Sequence, residues 1–88
     1  MITDVFVVYN DKSQIDTIQD AKLDDSISFV FINENSKKER KKAFNLKSHW
    51  AAKMTPFAIC MDGDKAVKAF YSETGENVIE SLINYLNE

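Results

Sequence analysis

Short continuous apolar runs alternate along this chain with segments in which apolar residues recur at helical spacing. Ile2 to Tyr9 is rich in β-branched and aromatic residues, with Val5-Phe6-Val7-Val8 unbroken, and predicts a strand buried on both faces. Asn10-Asp11 ends it. Asp11 and Gln14 have capping-box spacing and Ile15 and Ile18 follow at helical spacing, so a short helix is predicted from about Ser13 to Lys22. Ile27 to Ile32 predicts a second strand, closed by Asn33-Glu34-Asn35. Ser36-Lys37-Lys38-Glu39 reads as another capping box, in which the Ser36 hydroxyl bonds the Glu39 N–H and Glu39 bonds back. The helix it opens carries Ala43, Leu46 and Trp50 on one face, with Phe44 beside them and Lys and Arg over the rest. It should end near Trp50 or Ala51, because Thr55 precedes a proline and is pushed toward extended geometry.

Phe57 to Met61 predicts a third strand, Asp62-Gly63-Asp64 a tight turn, and Ala66 to Tyr71 a fourth strand. Val67, Ala69 and Tyr71 alternate there against Ala66, Lys68 and Phe70, and a face polar at its centre points to a sheet edge. Val78, Ile79, Leu82, Ile83 and Leu86 form the stripe of a helix packed on a sheet. The order is β-α-β-α-β-β-α, an α/β chain with a four-stranded mixed sheet flanked by helices. Its first two strands, joined by a helix, should be parallel, and its last two should form a hairpin.

Eighty-eight residues make a single domain, 1–88, with room for one modest core. No apolar run approaches the roughly 20 residues that span a bilayer, so no membrane partner is expected. Met1 to Tyr9 is too short for a signal peptide and has no basic stretch before it, which points to a cytoplasmic protein. Cys60 is the only cysteine, so no internal disulfide forms, in keeping with a reducing compartment. Abundant Lys, Asn, Asp, Ile and Phe fit a low-GC genome of bacterial or phage origin. Charge changes the picture more. Lys37, Lys38, Arg40, Lys41, Lys42, Lys47 and Lys53 face one acid, Glu39, which makes this stretch +6 and leaves −9 on the rest of a chain whose net charge is −3.

Trp50-Ala51-Ala52-Lys53-Met54-Thr55-Pro56, followed by Phe57-Ala58-Ile59-Cys60-Met61-Asp62-Gly63-Asp64, resembles the helix end, connector, strand and turn of the thioredoxin and glutaredoxin superfamily. With the element order, the resemblance covers essentially the whole chain. It implies a thioredoxin-like fold in which Pro56 is cis and Thr55 offers its backbone N–H and C=O to an extended ligand. The departure is equally clear. Where redox members carry Cys-x-x-C or Cys-x-x-Ser, this chain has Tyr9-Asn10-Asp11-Lys12-Ser13-Gln14. None of these performs thiol–disulfide exchange, and Ser13 has no histidine nearby in sequence to activate it. The family's oxidoreductase activity is not carried over, and no cofactor is implied.

The candidate binding residues are therefore Tyr9, Asp11, Lys12, Ser13, Gln14, Thr55 and Pro56. Against a ligand-binding role, Pro56 alone reads as a turn-shaping residue. Tyr9 is either a partner contact or a strand-end tyrosine with its hydroxyl in water. Cys60, in an apolar strand, reads as a small buried hydrophobe unless exposure and a depressed pKa make it a redox thiol. His49 reads as a surface or cap histidine at a helix C-terminus, and Trp50 as core. Lys37, Lys38, Arg40, Lys41, Lys42 and Lys47 form either a solvated helix face or a surface for an acidic partner. No zinc, P-loop, Rossmann, recognition-helix or RNA-binding signature is present.

Three functions follow. The first is a thioredoxin-like protein- or peptide-binding module without dithiol chemistry, using the Thr55–Pro56 groove or the fourth-strand edge. The second is a binder of nucleic acid or an acidic partner through the basic helix, 36–50. The third is a glutathione-binding or single-thiol protein relying on Cys60.

Overall fold

The computed structural model describes residues 1–88. Its elements are β1 (Asp4–Tyr9), α1 (Ser13–Asp20), β2 (Ser28–Asn33), α2 (Arg40–His49), β3 (Phe57–Asp62), β4 (Lys65–Phe70) and α3 (Val78–Leu86). The sheet order is β2-β1-β3-β4, with β1 and β2 parallel and β3 antiparallel to both β1 and β4. The central β1 is the unbroken apolar run, and its Val5, Val7 and Val8 are buried. Strand alternation sends Val5 and Val7 to one layer and Val8 to the other.

The first layer joins Val5, Val7, Ala58 and Cys60 of the sheet to Ile15 and Ile18 of α1 and Leu82 of α3. The second joins Val8, Ile32, Phe57 and Ile59 to Ala43 of α2 and Ala52 of the following connector. Helices therefore cover both faces of the sheet, which explains why β1 and β3 read as continuous apolar runs. Burying a side chain such as Leu82 contributes about 1.5–3 kcal/mol.

The Thr55–Pro56 peptide is cis, the isomer that the resemblance implied. The Asp62–Lys65 pair closes the hairpin, with Gly63 at φ +63° in the left-handed region its turn requires. β4 lies at a sheet edge, as its pattern predicts, but its alternation is not continuous. Cys60 pairs with Lys68 and Met61 with Ala66, so Val67 is the extra residue of a β-bulge. The expected faces are thereby reset. Ala66 and Ala69 share the α2 layer, Phe70 packs in the α1/α3 layer, and Val67 is exposed.

One local expectation around α2 also changes. The Ser36 capping box does not form, and α2 begins at Arg40 without a side-chain cap. The Ser36 carbonyl accepts the N–H groups of Glu39 (3.2 Å) and Arg40 (2.9 Å). The Glu39 carboxylate instead accepts the Asn33 N–H, closing the free end of β2. Ala43 faces the sheet as the stripe predicts, and Phe44 beside it turns away from the core, 68% exposed.

Candidate functional site

The C-terminal ends of β1 and β2, the start of α1 and the start of β3 meet at one end of the sheet. In open α/β sheets this end leaves a crevice, because the chain turns from strands into helices on opposite sides. The turn into α1 is fixed by its own side chains. Gln14 Oε1 accepts the N–H groups of Asn10 (3.0 Å) and Asp11 (3.3 Å), and Asp11 Oδ1 accepts the Ser13 N–H (3.0 Å). Only half of the predicted Asp11–Gln14 box forms: Gln14 bonds back to the Asp11 N–H, but the Asp11 carboxylate serves Ser13, and the Gln14 N–H bonds the Asp11 carbonyl (2.9 Å) instead. The Ser13 peptide N–H, with its hydroxyl, holds the Asp11 carboxyl below its ordinary value. The ionised form is favoured in the folded chain, so this support is present at neutral pH and lost as pH falls through the Asp11 pKa.

Thr55 is the pivot of the site. It is 7% exposed, and its hydroxyl donates to the Glu34 carboxylate and accepts from Lys47 Nζ at 3.1 Å. Lys47 Nζ also pairs with Glu34 Oε2 at 3.3 Å. This triad ties the β2 end, α2 and the connector together. Its side chains are about four-fifths shielded from water, where a charge-assisted bond is worth more than on an open surface. The Thr55 backbone is different. Its N–H and C=O make no hydrogen bond within the protein, although buried backbone groups are ordinarily paired. Gly75 lies against that carbonyl at φ +80°, and a Cβ there would come within 2.6 Å of the oxygen. Only glycine fits both the backbone angle and the approach.

Two grooves flank this pivot. The first, about 550 Å³, runs between α1 and α3 and is lined by Gln14, Thr17, Pro56, Gly75, Asn77 and Ile83 among others. The second, about 480 Å³, lies between α2 and residues 51–53 and includes Glu34, Arg40, Phe44, Lys47 and Lys53.

Of the residues singled out from sequence, Gln14 and Pro56 share the first groove. Asp11, Lys12 and Ser13 are exposed on the turn into α1, and half-buried Tyr9 packs against the α1/α3 layer. Thr55 turns its hydroxyl toward the second groove. Lys37, Lys38, Arg40, Lys41 and Lys42 are exposed, whereas Lys47 is drawn inward by Glu34 rather than lying on the solvated face. His49 is exposed, its ring edge-on to the half-buried Trp50 with centroids 5.5 Å apart.

Sequence reasoning missed Gly75, Asn77, Glu34 and the inward turn of Lys47. The one signal was Gly75 itself, one of only two glycines in the chain.

Cys60 is fully buried, and burial pushes its thiol from 9.0 up to about 11, a rise that Lys68 opposes. At neutral pH it is protonated and enclosed, the opposite of the surroundings that activate a cysteine. No group of three or more His, Cys, Asp or Glu side chains is placed to hold a metal, and no helix is long and apolar enough to cross a membrane. Comparison with protein-family models, curated proteins and solved structures finds no match to this chain.

Proposed function

We propose that this chain is a thioredoxin-like domain without dithiol chemistry, and that it binds an extended protein segment in the groove between α1 and α3. The element order and the single proline at the start of β3 support the thioredoxin-like frame. The observation that carries the binding reading is the unpaired N–H and C=O of Thr55, a residue shielded from water beside the groove that Pro56 lines. An extended segment offers a C=O and an N–H in complementary positions, the pairing by which strand addition holds peptides. Gly75 keeps the approach to Thr55 narrow, which favours backbone over bulky side chains. The partner supplies main-chain hydrogen bonds at Thr55 and side chains that settle along Gln14, Thr17 and Ile83.

The test is selection of binders from a displayed library of extended peptides, followed by amide-shift mapping. Thr17 is exposed on α1 and lines the groove, so Thr17→Trp fills it while leaving the core intact. Selected peptides should shift the amides of Gln14, Thr55, Gly75 and Asn77, and should lose binding to the Trp variant. Peptides that bind that variant equally well, or shift only residues of α2 or β4, overturn the proposal.

A further inference from the structure

The second groove carries an inference of its own, independent of the first. Ala51 adopts φ +55°, a left-handed conformation that turns the chain back so that residues 51–53 form a wall facing α2. Ala43, Ala51 and Ala52 line the space with small apolar surface. Phe44 stands at its side with 68% of its surface in water, although it belongs to a helix that packs on the core. Arg40, Lys47 and Lys53 line the same space.

Charge decides what fits. The only acid in the lining is Glu34, and it is already bonded to Lys47 and Thr55. Arg40 and Lys53 make no ion pair within the protein, and Lys37, Lys38, Lys41 and Lys42 extend the positive surface along the start of α2. An apolar floor, one exposed aromatic ring and unpaired cations make an amphipathic acidic ligand complementary in every respect. A nucleic-acid strand fits less well. The cations come from one helix and its flanks, a single exposed ring offers no run of stacking platforms, and the −9 on the rest of the chain repels a long polyanion. We infer that the groove between α2 and residues 51–53 binds an acidic protein segment, whose apolar side chain covers Phe44 while its carboxylates pair with Arg40 and Lys53.

The probe is a short fluorescein-labelled peptide of Asp and Glu around a central Leu and Phe, followed by fluorescence anisotropy at low and physiological salt. Two comparison ligands are the same peptide with Asn and Gln in place of the acids, and a single-stranded oligonucleotide of equal charge. The variants are the double change Arg40→Glu with Lys53→Glu, and Phe44→Ser, all at exposed positions, with circular dichroism as the check on folding. The acidic peptide should bind and its uncharged version should not. The double variant should weaken binding about tenfold or more. Phe44→Ser should weaken it severalfold while leaving the salt dependence unchanged, since it removes an apolar contact and no charge. No binding of the acidic peptide overturns the inference. So does an oligonucleotide that binds as tightly and is indifferent to Phe44→Ser, the signature of a general polyanion surface. Peptide binding that survives the double variant overturns it too.

Discussion

The two faces of the sheet are built differently. On the α1/α3 face, Val5, Val7, Ala58, Cys60, Ile15, Ile18 and Leu82 form one continuous apolar layer, thickened by Phe31, Phe70 and Ile83. On the α2 face, the buried apolar contacts from the helix and its connector are the small Ala43 and Ala52, with Leu46 and Trp50 packed beside them while still partly open to water. There a polar triad, Glu34, Lys47 and Thr55, fixes what apolar bulk does not. The lesson is a division of labour. One face is held mainly by removal of apolar surface from water, and the other keeps its helix in place partly by hydrogen bonds, leaving Phe44 and a groove open to solvent.

The contrast is sharpest at Cys60, deep in the first face. Iodoacetamide should modify it about a thousandfold more slowly in the native protein than in denaturant, because reaction requires opening of the sheet. Rapid native alkylation would break the picture of a sealed layer. The raised thiol pKa adds a sign. The neutral thiol is favoured in the folded state, so its contribution is whole below pH about 9 and is lost as pH rises toward about 11.

Next in size is Leu82→Ala, which empties a fully buried position of that layer. It should cost about 2–5 kcal/mol in urea unfolding, a large share of what a small domain has. On the other face, Lys47→Met leaves the Glu34 carboxylate without its cation and should cost about 1–3 kcal/mol. A cost as large as that of Leu82→Ala would mean that the triad, and not apolar packing, dominates. The smallest effect belongs to Phe44→Ser, within about 0.5 kcal/mol in the same assay because the ring is already in water. A clear loss there would show that the ring packs in solution and that the groove is narrower than described.

Much of this was legible from periodicity. The order of elements, the doubly buried β1, the edge position of β4 and the stripe of α3 all follow from where apolar residues recur. What was not legible depends on partners distant in sequence. Nothing local to Ser36 and Glu39 shows that the carboxylate will serve Asn33 instead of the helix start. A bulge is a difference of one residue between two strands, and alternation within Ala66–Tyr71 cannot register it. Lys47 looks like its neighbours in a string of cations until Glu34 is brought beside it. In the candidate site, the bond from Gln14 back to Asp11 was readable because it is set by adjacent residues, whereas the cis bond at Pro56 was expected only from the resemblance. The role of Gly75 was not, because its constraint comes from the Thr55 carbonyl.

Thr55 also limits how this protein can be altered. Its hydroxyl belongs to the network beneath one groove, while its backbone lies beside the other. Changes at Thr17 or Phe44 touch one groove each and are separable traits. A replacement at Thr55 is pleiotropic. Valine keeps the shape but strips the hydroxyl from Glu34 and Lys47, and any backbone shift that follows is presented to the opposite groove. Engineering or divergence of the two surfaces can therefore proceed independently at lining positions that do not touch Thr55, such as Thr17 and Phe44, but not at Glu34, Lys47 or Gly75, which do.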